Sequence, residues 1–452
     1  MGVLDKRLNR RQFLKTTAVV TAATASASLW RVYRIPAIEA ARYSKKYEGT
    51  TIRMVALRDI STEVALERIP EFAEATGIQV EANLLEFGEM VNTEKMDFVS
   101  GAGTWDVVAV DQPSLGEYVT SGWIYPLTEF IEDPEMPDAN VEDFIPAIIN
   151  GAGIWEGVYY AFPMGSYGNL FGYRTDLYEA AGLTKTPDTW EEFLAHAQAL
   201  NNPPDVYGTV LYAKRGEYLS YDAAAYLWSF GSGFIDENKH IMWDSPEGLA
   251  ALSFYADLIL KHKVVPPGCL NYGHQEFTQA FQTGLVAMGL MIQEAVGEPM
   301  EDPKVSNVVG KMAYGSVPGK EQEDGTVLRT PCIGAHSLAI NSDSKNKEAA
   351  YMVVEFLTNQ GEDYVLAGGK PTRMSHFEYP SVMEKYPYME AVAENLPLGR
   401  TRPNIPEYPA VSEIFSTNFH RVLSGEAELE KTMKEAAQEA SKILEAAYPE
   451  AY

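Results

Sequence analysis

Between Thr51 and Val110 the chain alternates apolar runs of strand length with segments of helical period. That alternation limits the fold more than any other feature of the sequence. Thr51–Leu57 (TIRMVAL) carries β-branched residues and no breaker, the composition of a strand. The next segment puts Val64, Ala65, Ile69 and Phe72 on one helical face, with Ser61 as its expected N-cap and Gly77 as its stop. Ile78–Leu85 reads as a second strand, Gly88–Ser100 as a second helix and Asp106–Val110 (DVVAV) as a third strand. Beyond its first residue this third run is wholly apolar, as a strand needs when helices cover both faces of its sheet. The repetition predicts an α/β class with a doubly wound layer.

The remainder continues in the same style. Trp190–Leu200 and Pro246–Lys261 are helix candidates capped by Thr189 and Ser245, with a strand at Tyr207–Tyr212 and an aromatic helix at Tyr221–Phe230 between them. Leu285–Ile292 is a buried strand candidate, His336–Ile340 a strand leading into a helix at Asn346–Asn359, and the last helix runs from about Glu426 to Ala447. Gly157 to Tyr173 holds no charge but contains Pro163 and four glycines. It reads as two buried strands separated by a crossing point, not as a membrane span. The length, 452 residues, suits two lobes of about 200 residues, each able to bury a core.

The N-terminus has the character of an address. Arg10 and Arg11 precede Phe13-Leu14-Lys15, and no charge follows from Thr16 to Trp30. This uncharged stretch falls short of the roughly 20 apolar residues that a bilayer requires. Residues 1–40 resemble a bacterial twin-arginine export signal, which implies the twin-arginine translocase as a partner reading Arg10 and Arg11. The resemblance also implies folding in the cytoplasm before export, to the periplasm or the outer face of the cell membrane. Lys plus Arg number 36 against 63 Asp plus Glu, a net charge of −27. So acidic a surface disfavours nucleic acid and anionic lipid as partners, because neutralising phosphates takes basic patches.

Signatures of catalysis and of cofactors are missing. The chain has no G-x-S-x-G, no H-E-x-x-H and no Walker motif, and none of its seven histidines pair at helical spacing. No cofactor and no metal are expected. Cys269 and Cys332 could form one disulfide outside the cytoplasm, but folding before export favours two buried thiols. Paired carboxylates leave no local signature, so a secreted carbohydrate-active enzyme stays open as an alternative.

Four stretches together resemble the carbohydrate-binding branch of the bacterial extracellular solute-binding proteins that serve ABC importers. They are Trp105–Asp111 (WDVVAVD), Gly157–Met164 continuing to Phe171–Leu177, Phe281–Met288 (FQTGLVAM) and Ser337–Ala350. Arg402–Pro409 (RPNIPEYP), ahead of a long helix, is similar to the sugar and polyol members. The resemblance implies two discontinuous α/β lobes joined by a hinge, lobe one at 41–163 with 332–362 and lobe two at 164–331 with 363–452. It implies a monomeric receptor, not an enzyme, that captures a neutral sugar or polyol in the interlobe cleft and delivers it to an ABC permease. A sensory binding protein is a further alternative.

Sugar recognition calls for bidentate acceptors and donors for hydroxyls, and flat aromatic faces for C–H surfaces. Asp111, at the end of its strand, is placed by the resemblance at a hydroxyl-binding carboxylate; otherwise it would cap the helix after Pro113. Gln112 follows it. Arg58 and Glu86 sit in strand-end loops. Tyr167 and Asn169 lie past Pro163, and Tyr167 stands where a maltodextrin binder carries an acid, which argues against maltodextrin. Trp228 is a stacking candidate or a core residue. Gln293 and Glu294 follow a buried strand, and His336 begins the return strand. Arg373 falls in a segment that resembles a cleft-edge loop, and Tyr408 stands at a stacking position.

Overall fold

A computed structural model describes residues 43–451. Arg10, Arg11 and the rest of the signal segment lie outside the described residues. Strands β1 (Thr51–Leu57), β2 (Gln79–Leu85) and β3 (Val107–Asp111) form the expected parallel unit, with β1 between the other two. The two short pairs β5 (Ile154–Trp155) with β6 (Val158–Tyr159), and β11 (Lys320–Glu321) with β12 (Val327–Leu328), are separate ribbons. The remaining strands extend the main sheet: β4 (Ile124–Tyr125), β7 (Ala161–Arg174), β8 (Tyr207–Val210), β9 (Val286–Ile292), β10 (Met312–Gly315), β13 (Cys332–Asn341) and β14 (Arg400–Thr401). Its path runs β2-β1-β3-β13-β7-β9-β8. β13 is antiparallel to both β3 and β7, and β9 is antiparallel to β7.

Within the charge-free stretch, Pro163 does not break its strand. β7 runs unbroken for 14 residues and nearly all of it is buried. Pro163 sits inside it, beside a register shift against β13 where His336 faces Gly165 and Ser337 faces Pro163. Such a bulge accommodates a residue with no N–H to donate. The change of partner comes later: β7 pairs with β13 up to Gly168 and with β9 from Asn169.

Local chemistry also corrects the first helix. Asp59, not Ser61, is the N-cap, and its carboxylate accepts from the Thr62 N–H at 2.8 Å. The helical segment breaks after Leu66 and resumes at Ile69–Thr76, which Gly77 closes in a left-handed conformation. Thr189 and Ser245 cap the helices Trp190–Leu200 and Pro246–Leu260 as expected. Cys269 and Cys332 are both free and buried, and burial pushes each thiol up to about 12.

One helix has a particular bearing on the site. In Phe87–Ser100, the buried Glu94 carboxylate accepts from the Ala109 N–H of β3 at 3.0 Å and from the Tyr118 hydroxyl at 3.0 Å. Burial raises the Glu94 pKa well above the usual carboxylate range. This anchor fixes the strand two residues before its terminal Asp111.

Candidate functional site

Asp111 and His336 face each other across β3 and β13, and Tyr167 on β7 lies opposite Gly334 of β13. A Cβ on Gly334 would come within 2.5 Å of the Tyr167 ring, so the absence of a side chain there makes room for it. The Tyr167 hydroxyl donates to Asp111 Oδ1 at 2.7 Å, and His336 Nδ1 lies 3.4 Å from the same oxygen. Asp111 occupies an N-cap position before Gln112–Ser114, yet its side chain makes no capping bond. Its carboxylate serves the cluster instead.

Arg402, just beyond β14, joins this cluster to another part of the chain. One of its terminal nitrogens donates to the Tyr167 hydroxyl, and the other to Glu217 Oε1 at 2.7 Å. Its guanidinium also stands over the rings of Tyr167 and Tyr221, at 5.6 and 5.5 Å from their centroids. Only 3% of the Arg402 side chain is exposed, so burial alone would lower its pKa. The Tyr167 oxygen and the Glu217 carboxylate outweigh that penalty and raise it. Burial, reinforced by Asp111, pushes the Tyr167 phenol well above its ordinary range despite the nearby guanidinium, so it remains a donor.

Glu217 opens the helix Glu217–Ser229. The residue before it, Gly216, has φ +104°, a conformation that favours glycine. The Glu217 carboxylate also accepts from Tyr408 at 3.0 Å and from Ser412 at 2.6 Å, both on the helix Tyr408–Leu423. A cavity of about 330 Å³ opens beside these groups, with Phe87, Asn92, Asp111, Glu217, Tyr408 and Ser412 among its lining. Gln112 lies behind it, fully buried; its amide donates to the Arg402 carbonyl at 2.9 Å and its Oε1 has no partner among the described residues. The arrangement offers anchored acceptors and aromatic surface but no assembled nucleophile, and no metal-binding group of side chains occurs among the described residues.

The structure thus brings together Asp111, Gln112, Tyr167, His336 and Tyr408 from the sequence-predicted set. Asn169 and Gln293 are buried, each with an unpartnered side-chain nitrogen among the described residues; Asn169 uses its oxygen to accept from the Cys332 N–H. Arg58 and Glu86 are exposed; Arg58 donates to the Leu84 carbonyl, and Glu86 directly precedes the cavity-lining Phe87. The Glu294 side chain lies outside the described residues. Trp228 does not line the cavity and belongs to the buried core. Arg373 does not line it either: its guanidinium donates to the carbonyls of Thr358, Ala139 and Asn140 and lies 4.1 Å from the centroid of the Phe144 ring. Sequence reasoning missed Arg402 and Glu217. Arg402 stood in the quoted RPNIPEYP segment, and a lone arginine in a proline-rich run was its only local signal.

A family model described as bacterial extracellular solute-binding protein matches residues 58–363, and one for the twin-arginine translocation pathway signal sequence matches residues 7–27. The chain is 28% identical to an ABC transporter solute-binding protein from Agrobacterium radiobacter K84 solved with ribitol, covering 88% of this chain and 99% of that one, with a TM-score of 0.78. It is 27% identical to maltose-bound MalE3 of T. maritima, covering 87% and 100%, again with a TM-score of 0.78. A probable amino-acid ABC transporter periplasmic-binding protein of Sinorhizobium fredii is 25% identical, over 90% of each chain. The two solved neighbours share the two-lobed α/β architecture of periplasmic binding proteins.

Proposed function

The chain belongs to the bacterial extracellular solute-binding protein family, and from that premise we propose that it captures a small neutral polyol or monosaccharide in the cavity beside Asp111. Members of this family are receptors of ABC transporters, not enzymes, and the twin-arginine signal makes this chain an exported one. The single observation that carries the ligand assignment is the pair of carboxylates, Asp111 and Glu217, that line one cavity and are each held by fixed donors. Fixed acceptors of this kind suit hydroxyl groups. A volume of about 330 Å³ lies at the small end of ligand cavities, which favours a polyol or single sugar over an oligosaccharide.

The name of the Sinorhizobium relative makes amino acids a second reading. An amino acid brings a carboxylate that needs a cation. The one basic residue lining the cavity, Lys95, is engaged by both oxygens of Glu117, at 2.8 and 2.9 Å. This favours the neutral ligand.

We assign lobe one to 41–163 with 332–362 and lobe two to 164–331 with 363–452. In this reading the receptor is a monomer that hands its ligand to a membrane permease. A thermal-shift screen over polyols, monosaccharides, maltose and amino acids tests the reading. A ligand at 100 times its dissociation constant adds about 2.7 kcal/mol of stability. A shift with polyols or monosaccharides supports the proposal; a shift with amino acids alone replaces it with the second reading.

A further inference from the structure

The cavity has a sign. Its lining includes four acids, Asp111, Glu117, Glu217 and Glu413, against the single base Lys95, which is committed to Glu117. Arg402, the cation that holds Glu217, is not part of the lining. It is buried behind Tyr167, and its charge is already shared between the Tyr167 hydroxyl and Glu217. A hydroxyl entering the cavity meets oriented acceptors. An anion of the same length meets carboxylates and, among the lining residues, no uncommitted cation. Repulsion of that kind is poorly screened where the groups are partly buried.

We propose that Glu217, held by Arg402, is the specificity-determining residue of a charge filter that admits polyols and rejects the corresponding sugar acids. Glu217 lines the same cavity as Asp111 and is the more heavily anchored of the two carboxylates. Ser412, Tyr408 and the Arg402 guanidinium converge on it and fix where its charge lies. Arg402 is a positioning residue: it orients Glu217 with one nitrogen and the Tyr167–Asp111 pair with another. The filter is a negative choice, since discrimination between ligands of one shape is set by what the site refuses. This inference rests on the proposed polyol or sugar ligand.

Calorimetry with two matched pairs tests it: ribitol with D-ribonate, and D-mannitol with D-mannonate. The wild type should bind a polyol at least 100-fold more tightly than its acid. Glu217→Gln keeps the shape and an acceptor oxygen but removes the charge, and it should narrow that ratio at least tenfold. A purely structural role for Glu217 would weaken both partners of a pair alike and leave the ratio unchanged. One measurement needs no variant: 1-amino-1-deoxyribitol, a cation, should bind the wild type at least as tightly as ribitol does. Equal wild-type affinity for a polyol and its acid overturns the filter while leaving the polyol reading intact, as does an unchanged ratio in Glu217→Gln. A wild type that binds neither polyols nor sugars overturns the underlying reading, and the filter with it.

Discussion

Asp111→Asn separates a ligand-binding carboxylate from a structural one. In the unliganded protein the Asp111 carboxylate is buried, accepts from the Tyr167 hydroxyl at 2.7 Å and makes no helix-capping bond. An Asn side chain can keep the Tyr167 bond through its oxygen, so the fold loses little. The ligand loses more. A hydrogen bond to a charged group contributes about 1.5–3 kcal/mol and a neutral one about 0.5–1.5, and the amide nitrogen no longer accepts at all. The net loss is about 2 kcal/mol, or roughly 30-fold in Kd. Titration calorimetry of both proteins with the ligand found in the thermal-shift screen gives the ratio, and thermal unfolding without ligand gives the control. The unliganded midpoints should agree within about 2 °C. An unchanged Kd in Asp111→Asn would refute the assignment of Asp111 to the ligand.

Further outcomes follow from other parts of the molecule. Asp222 is buried, accepts from the Tyr212 N–H and the Tyr255 hydroxyl, and is raised to about 7 by burial. Its raised pKa contributes stability that is full below an unfolded carboxylate pKa of about 4 and is lost as pH rises through about 7, by up to about 4 kcal/mol. Asp222→Asn should therefore gain on the wild type in melting temperature between pH 5 and pH 8, and a constant difference would contradict this. Arg373→Met strands three carbonyl acceptors and should cost about 3 kcal/mol in denaturant unfolding while leaving ligand affinity unchanged. Replacing Arg10 and Arg11 with Lys keeps the charge but removes the planar guanidinium groups, so precursor should accumulate in the cytoplasm on fractionation; normal export would contradict the twin-arginine route.

The strands were legible because burial on both faces demands apolar runs, and β1 and β3 come within a residue of where such runs place them. Asp111 was legible too, as a carboxylate ending a buried strand. Pro163 suggested a break in its strand, and a bulge in β7 absorbs it instead. Arg402 and Glu217 were out of reach for a different reason. Arg402 meets Glu217 across 185 positions of sequence and Tyr167 across 235, so their pairing leaves no local spacing to detect. Trp228 and Arg373 illustrate the converse. Residue type alone cannot separate a stacking aromatic or a ligand-binding cation from a core ring or a backbone clamp; burial and bonding are visible only in the fold.

The most direct test of the central claim is a calorimetric titration of the exported protein with ribitol, D-mannitol, D-tagatose and maltose, at about 50 mM and 200 mM salt, with chemical analysis of the ligand recovered afterwards. The expected result is one site per chain for a polyol or monosaccharide, an affinity that changes little with salt, and ligand recovered unaltered. No binding to any of the four, a tenfold or greater weakening at the higher salt, or conversion of the ligand would contradict it.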